Sequence, residues 1–186
     1  MINEWNINQA VQVVHEGGLI AYPTEAVWGL GCDPWNEQAV HRLLAIKRRP
    51  MHKGLILAAA SIEQVEPLLN ALTAEQRARV EESWPGPNTW LLPDPDGLIP
   101  DWVKGEHESV AVRVSAHPIV KALCLKAGMP LVSTSANPAS FAPAKTGLKV
   151  STYFGRNVDF KVQGRLGGAN RPSVIRDALS DATIRD

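Results

Sequence analysis

Several features that mark common functional classes are scarce or absent in this sequence of 186 residues. The two cysteines, Cys32 and Cys124, form no CxxC pair, so neither a disulfide framework nor a zinc cluster is indicated. The longest apolar runs, at 54–60 and 130–136, are far shorter than the roughly 18 residues that span a bilayer. The first ten residues contain no basic residue and no apolar core, so a secretory signal is not expected. These absences predict a protein of the reducing cytoplasm.

The usual signatures of nucleotide binding, hydrolysis and metal binding are also missing. There is no GxxxxGK[ST] motif, and the single GxG, at Gly29 and Gly31, lacks its third glycine. No HExxH motif and no paired Cys/His spacing occurs, so a metal site built by the protein is not expected. No GxSxG motif supports a nucleophilic serine. What remains is a set of polar stretches at the ends of predicted strands and helices.

Net charge is absent as well, since 19 basic and 19 acidic residues balance. The charges are nevertheless distributed in blocks. Residues 47–53 contain four basic and no acidic residues, and residues 145–186 contain eight basic and four acidic ones. The two remaining blocks, 1–46 and 54–144, have more acidic than basic residues. If the fold brings the two basic blocks together, they would suit the phosphates of a nucleotide or a nucleic acid.

The hydrophobic pattern predicts helices and strands that interleave without a regular βαβ repeat. We therefore predict an α/β protein in which helices flank a mixed sheet, folded as one domain over residues 1–186. The predicted helices cover 8–16, 36–47, 61–70, 73–83, 117–128 and 145–156. The predicted strands lie at 19–23, 27–31, 55–60, 109–115, 130–137, 158–162 and 172–178, with another at the end of 84–93. Residues 93–108 are expected to form a polar connection.

Three polar stretches are candidates for a binding site. Thr24 follows a proline turn, KRRPMHKG (47–54) begins at the end of a predicted helix, and VSTSAN (132–137) leaves a buried strand. Each has an ordinary structural explanation, because hydroxyl residues suit turns and basic residues complement a helix C-terminus. Four cations within seven residues, however, exceed what a helix end needs. Ligands of open α/β sheets bind beyond the carboxyl ends of strands, where hydroxyls and amides can hold phosphate.

Six stretches, in register along almost the whole chain, carry a family resemblance. They are AYPTEAVWGLGCD, IKRRPMHKGL, WPGPNTWLLP, SVAVRV, PLVSTSAN and RPSVIRDA. With them the sequence resembles the YrdC/TsaC family of threonylcarbamoyl-AMP synthases, in its short single-domain bacterial form. The family hallmark, a KxR motif followed much later by an SxN motif, falls on Lys47, Arg49, Ser135 and Asn137. The resemblance implies a twisted mixed sheet that encloses a large, concave, basic groove.

The resemblance also implies a reaction. L-Threonine, bicarbonate and ATP would give L-threonylcarbamoyl-AMP and pyrophosphate, toward the t6A base at position 37 of tRNA. ATP would be a substrate that brings its own Mg2+. Proteins that transfer the threonylcarbamoyl group to tRNA would be partners, and affinity for tRNA or double-stranded RNA is left open. The carbamate and the triphosphate crowd anionic groups together, so fixed cations are needed to offset their repulsion.

The residue roles are those that the resemblance implies. The expected catalytic residues are Lys47, Arg49, Ser135 and Asn137. The expected ATP-binding residues are Lys47, Ser133, Ser135, Asn137 and Arg185. The expected threonine-binding residues are Thr24, Arg113 and Ser173. No residue is an evident general base, so we expect catalysis by positioning and electrostatics.

One departure and two alternatives qualify this prediction. Where many relatives have SANxSGxP, this chain has Ser140 for the glycine and Ala142 for the proline, which leaves the path of 138–142 open. The first alternative is a non-catalytic protein that binds double-stranded RNA or tRNA in ribosome maturation. The basic blocks fit it, but no aromatic residues are interleaved with them for base stacking. The second is a carbamoyl-transfer domain of the hydrogenase-maturation type, whose accompanying segments are not seen here.

Overall fold

A computed structural model describes residues 3–185 and shows seven α-helices and nine strands among them. The helices are α1 (Glu4–His15), α2 (Glu37–Lys47), α3 (Glu66–Leu69), α4 (Ala74–Glu82), α5 (Asp101–Lys104), α6 (Pro118–Ala127) and α7 (Gly147–Phe154). The strands are β1 (Ile20–Pro23), β2 (Trp28–Gly31), β3 (Ile56–Ala59), β4 (Asn88–Pro93), β5 (Ser109–Val114), β6 (Leu131–Ser135), β7 (Phe160–Lys161), β8 (Val174–Asp177) and β9 (Thr183–Arg185). Short 3-10 turns lie at Met51–Lys53, Ile62–Val65 and Gly155–Asn157.

The nine strands form one mixed sheet in the order β7-β1-β2-β6-β3-β5-β4-β8-β9. Three neighbouring pairs, β1–β7, β3–β5 and β4–β8, are parallel, and the others are antiparallel. The predicted α/β class with a mixed sheet is therefore confirmed. The continuity of the sheet supports the assignment of 1–186 to a single domain, which stays a prediction. None of the described helices has both the length and the apolarity needed to cross a membrane.

The sheet has an apolar cluster on each face, and β5 shows how the sequence directs side chains to them. Val110, Val112 and Val114 are buried, while the intervening Arg113 is only partly buried. Successive side chains of a strand point to opposite faces, so the valines pack into the core and Arg113 lies on the other side, as predicted. In this way a core strand delivers one cation to the opposite face of the sheet.

Helix α2 ends in a conformation that separates Lys47 from Arg49. Asn36 caps its N-terminus, where Oδ1 accepts a hydrogen bond from the backbone N–H of Ala39 at 3.0 Å. Its C-cap is Arg48, which has a left-handed backbone with φ of 52°. The helix therefore stops abruptly at the KxR motif, and the chain leaves it in a new direction.

Two elements were not predicted from the sequence. Helix α5 lies inside the expected connection 93–108, where Lys104 pairs with the buried carboxylate of Asp94 at 3.0 Å. The same carboxylate accepts from the N–H groups of Leu98 and Ile99, and therefore organises the segment. Strand β9 exists by pairing with β8, a tertiary contact that three residues do not signal. The helix predicted at 61–70 is a 3-10 turn followed by the four-residue α3.

Candidate functional site

Seven of the nine predicted site residues line one cavity of about 250 Å3. They come from strands and loops that are distant in sequence, and they are Thr24, Arg49, Arg113, Ser133, Ser135, Ser173 and Arg185. Arg171 also lines this cavity, so four arginine side chains surround it. We call it the arginine cavity. The charge of a larger basic groove around it stays a prediction.

A second cavity, of about 240 Å3, shares two lining residues with the first, Arg49 and Ser135. The remaining predicted residues, Lys47 and Asn137, line this second cavity, together with Lys53 and Ser140. The fold therefore brings all nine predicted residues to two adjoining cavities. Arg49 and Ser135 lie at the boundary between them.

Lys47 connects the KxR and SxN motifs directly. Its side chain is almost completely buried, and Nζ donates to the backbone carbonyls of Ser135 and Asn137, the latter at 2.8 Å. In the reverse direction, the N–H of Ala139 donates to the Lys47 carbonyl at 2.7 Å. Burial, together with the nearby charge of Arg49, lowers the pKa of Lys47 to about 8. An ammonium group has three donors, so one N–H remains for a ligand after these two bonds.

Arg49 is aimed by the turn that follows it. Its Nε and Nη2 donate to the carbonyl of Gly54 at 3.2 and 2.8 Å. Gly54 has φ of 61°, and a Cβ added there would lie 2.6 Å from the carbonyl oxygen of Lys104, so glycine is required. Burial lowers the pKa of Arg49, and the like charge of Arg185 contributes to the same shift. Two guanidinium groups therefore face the same space and repel each other.

Arg113, which also lines the arginine cavity, is paired with Glu25, a residue that was not predicted. Nη2 of Arg113 lies 2.5 Å from Oε1 of Glu25, and Nε donates to the carbonyl of Gly86 at 3.1 Å. The hydroxyl of Ser115 donates to the same carboxylate oxygen at 2.6 Å. Glu25 directly follows Thr24 in the sequence, but its pairing with β5 depends on the fold and leaves no sequence signal.

The hydroxyl groups of Thr24 and Ser173, predicted for threonine, and the guanidinium of Arg185, predicted for ATP, are also held in place. Thr24 Oγ1 donates to the carbonyl of Val27 at 2.7 Å. Ser173 Oγ and Thr89 Oγ1 are 2.7 Å apart, and Nη2 of Arg185 donates to the Ser173 carbonyl at 3.3 Å. Since the proton of Thr24 is used, its hydroxyl can only accept a hydrogen bond from a ligand.

The side-chain amide of Asn137 is engaged by its own loop. Its Nδ2 donates to the carbonyls of Pro138 at 3.0 Å and Phe141 at 2.8 Å. Both partners are acceptors, so the orientation of the amide is fixed and both its N–H donors are used. Its Oδ1 is buried and has no partner. A hydrogen bond from this side chain to phosphate, as expected from the sequence, would require these contacts to break.

Comparison with known proteins identifies the family. The model of the Sua5/YciO/YrdC family, described as "Telomere recombination", matches residues 12–185. This chain belongs to the Sua5/YciO/YrdC family. Proteins named threonylcarbamoyl-AMP synthase from Stutzerimonas stutzeri and Pseudomonas aeruginosa are 54% and 55% identical to it. Each alignment covers 100% of this chain and 99% of the relative. The family predicted from the six motifs is confirmed.

Solved structures of the Sua5/YciO/YrdC family share the fold. P. abyssi Sua5, solved in complex with L-threonine, is 32% identical with a TM-score of 0.90. The match covers 98% of this chain and 54% of that chain. E. coli YciO is 25% identical with a TM-score of 0.84, and the match covers 99% of this chain and 90% of that chain. HypF, at 16% identity and a TM-score of 0.79, shows only that the fold is similar.

The departure from the family's SANxSGxP pattern is resolved in the loop after β6. Ser140, which replaces the glycine, has φ of 68°, in the left-handed region that favours glycine. The N–H of Phe141 donates to the Pro138 carbonyl at 3.1 Å and closes the turn. The loop therefore keeps a backbone conformation suited to glycine, although the residue has changed.

The described residues also bear on whether the protein builds a metal site. Among residues 3–185, no group of three or more His, Cys, Asp or Glu side chains could hold a metal ion. The absence of a metal site built by the protein stays a prediction.

Three polar residues of the arginine cavity were not predicted from the sequence, namely Glu25, Ser115 and Arg171. Glu25 and Arg171 lie within two of the six family stretches, which could have indicated them, whereas nothing in the sequence distinguishes Ser115, directly after β5.

Proposed function

We propose that this protein is a threonylcarbamoyl-AMP synthase that makes L-threonylcarbamoyl-AMP and pyrophosphate from L-threonine, bicarbonate and ATP. The product would supply the t6A modification at position 37 of tRNA. The observation that carries the proposal is the convergence of four arginines with serine and threonine hydroxyls on one cavity. Relatives that are 54% and 55% identical over the whole chain are named for this activity.

The pair Arg49 and Arg185 is the proposed site for the ATP phosphates. Their mutual repulsion lowers the pKa of Arg49, and an anion placed between them would relieve it. Arg49 offers a planar fork for phosphate or carboxylate oxygens, while the remaining N–H of buried Lys47 supplies a point charge. Ser133 and Ser135 line the same cavity and can donate hydrogen bonds. Fixed donors of this kind stabilise the charge that develops at the transferring phosphorus.

The part of the arginine cavity that Thr24, Arg113 and Ser173 line is the proposed threonine site. Its support is the guanidinium of Arg113, held by Glu25 and Gly86, beside two hydroxyl oxygens that can accept hydrogen bonds. P. abyssi Sua5, whose fold is similar over 98% of this chain, is known in complex with L-threonine. With threonine here and the phosphates near Arg49, the deprotonated amine would capture carbon dioxide to form a carbamate. A carbamate oxygen would then attack the α-phosphorus of ATP, and pyrophosphate would leave.

Several parts of the proposal concern molecules other than threonine and the nucleotide. Mg2+ would enter with ATP, bicarbonate would supply the carbamoyl carbon, and separate proteins would transfer the group to tRNA. Because ATP and tRNA are substrates of the cytoplasm, we place the reaction there. Binding of RNA without catalysis is not favoured, because the full-length relatives are named for a synthase.

The direct test is pyrophosphate release by the purified protein with ATP and Mg2+. We expect release to require both L-threonine and bicarbonate, and to disappear in Arg49→Ala. Glu75→Gln, at an exposed position on α4, serves as the matched variant and should behave as the wild type. Release that continues without threonine and bicarbonate would refute the synthase.

A further inference from the structure

Glu25 is the single carboxylate among the described residues that line the arginine cavity. Four guanidinium groups surround the same space. A cavity with only cations would attract phosphates, dicarboxylates and other anions without discrimination, because Coulomb attraction has no directional preference. An acid at this position therefore changes which ligands the cavity accepts.

The carboxylate of Glu25 is held firmly from two directions. Its side chain is only 17% exposed, and Oε1 contacts both Arg113 and Ser115 of the β5 segment. Its backbone carbonyl accepts from the N–H of Ala169 at 2.9 Å, while the Thr24 carbonyl accepts from Gly167 at 3.0 Å. A carboxylate fixed in this way keeps its remaining lone pairs at a constant position beside the cavity that Glu25 lines.

The groups around Glu25 match the two charges of an amino acid. Arg113 donates N–H groups to Gly86 and Glu25. A guanidinium group has five N–H donors, so some remain for a carboxylate. Glu25 and the hydroxyl of Thr24, which can only accept, lie next to each other in the chain. An ammonium group needs acceptors of this kind. Arg113 and Glu25 place one cation and one anion in direct contact. These two charges are complementary to the carboxylate and ammonium groups of an amino acid, which a single carbon atom separates.

We propose that Glu25 is a specificity-determining residue that binds the α-ammonium group of threonine while Arg113 binds its carboxylate. The cavity thereby selects a zwitterionic amino acid over a simple carboxylate. This inference rests on the proposed function, because it takes threonine as the ligand. It adds to the predicted threonine contacts a residue that recognises the amine.

The test compares two ligands by calorimetric titration. One is L-threonine, and the other is the 2,3-dihydroxybutanoate of the same configuration, in which a hydroxyl replaces the ammonium group. Because hydrogen bonds to charged groups are strong, we expect the wild type to favour threonine by roughly tenfold to a hundredfold. This comparison needs no variant, so a wild type that binds both ligands equally would overturn the proposal even if every Glu25 variant failed to fold.

Glu25→Gln isolates the charge with little change in size. We expect it to lose most of its affinity for threonine and little of its affinity for the analogue, so the preference between them should collapse. Glu75→Gln should keep the wild-type preference, because this side chain is 89% exposed and does not line the cavity. A purely structural Glu25 would weaken both ligands alike and leave their ratio unchanged, which would contradict the proposal.

The two proposals fail in distinguishable ways. If the wild type forms pyrophosphate only with threonine and bicarbonate, yet Glu25→Gln keeps its preference for threonine, the role of Glu25 is refuted and the synthase stands. If the wild type neither binds threonine nor depends on it for turnover, both proposals are refuted together.

Discussion

Nζ of Lys47 donates a hydrogen bond to the backbone carbonyl of Asn137 at 2.8 Å and thereby joins the end of α2 to the loop after β6. The KxR and SxN motifs are therefore parts of one structural unit. The buried ammonium group both holds the loop and keeps a donor for a ligand. Because one ammonium group serves both the fold and the ligand, replacing Lys47 or changing the pH should alter both stability and turnover.

Replacing Lys47 by methionine should destabilise the protein and abolish turnover. The carbonyls of Ser135 and Asn137 would lose their partner, and a buried acceptor without a partner costs about 1–3 kcal/mol of unfolding free energy. Urea unfolding measures the loss. Lys126→Met, at an exposed position on α6, is the matched control and should be neutral. A Lys47→Met protein as stable as the wild type would show that the ammonium group does not hold the loop.

The pH dependence of stability should also report Lys47. Its pKa is lowered to about 8 in the folded protein, from 10.5 for an ordinary lysine. Between these two values the unfolded chain retains a proton that the folded protein has released, so the contribution of Lys47 to stability rises as pH rises. Turnover should fall over the same range, because the neutral amine no longer offers a cation to the phosphates.

The measurement is a series of urea unfolding curves and rates from pH 7 to about 10, for the wild type and Lys47→Met. The difference in unfolding free energy between the two proteins should move in favour of the wild type as pH increases. A difference that is constant with pH would mean that the pKa of Lys47 is not lowered.

Ser140→Gly should stabilise the protein. Ser140 has φ of 68°, which is strained for a residue with a Cβ and natural for glycine. Because left-handed backbone costs a non-glycine residue roughly 1–2 kcal/mol, we expect a gain of about 1 kcal/mol after the added entropy of the unfolded chain is deducted. Thermal unfolding measures the gain, and Ser140→Ala should not show it. A lower melting temperature for Ser140→Gly would contradict the strained conformation.

Gly54→Ala should damage both stability and activity, because it disturbs the turn that aims Arg49. The new Cβ would approach the Lys104 carbonyl to 2.6 Å. Gly97 is a matched control, since it has φ of 63° but no atom within 4 Å of an added Cβ. Both variants place a Cβ on a backbone of positive φ, but only Gly54→Ala adds the clash. Its unfolding free energy should therefore fall by about 1–3 kcal/mol more than that of Gly97→Ala. Equal losses in the two variants would show that the turn yields without cost.

The sequence predicted most of the elements because their signals are local. The cap at Asn36, the alternation in β5 and the end of α2 at Lys47 all appear in the structure as expected. Helix α5 and strand β9 could not be predicted, since they depend on the Asp94–Lys104 pair and on pairing with β8. For each, the decisive contact is between residues that the sequence does not place together.

The residues of the candidate site were likewise predicted only in part from the sequence. The resemblance to a family supplied nine residues, and the fold brings them to two adjoining cavities, while their roles stay predictions. It did not supply Glu25, which contacts both Arg113 and Ser115, or Ser115 itself. Nor did it indicate that the donors of Asn137 are already used by Pro138 and Phe141.

We propose that threonine, bicarbonate and ATP react within the arginine cavity. The most direct test is incubation of the purified protein with 13C-labelled bicarbonate, L-threonine, ATP and Mg2+, followed at once by mass spectrometry of the nucleotides. We expect a threonylcarbamoyl adenylate that carries the label, and none in Arg49→Ala. An adenylate of threonine without the labelled carbon, or no adenylate at all from an active and folded protein, would contradict it.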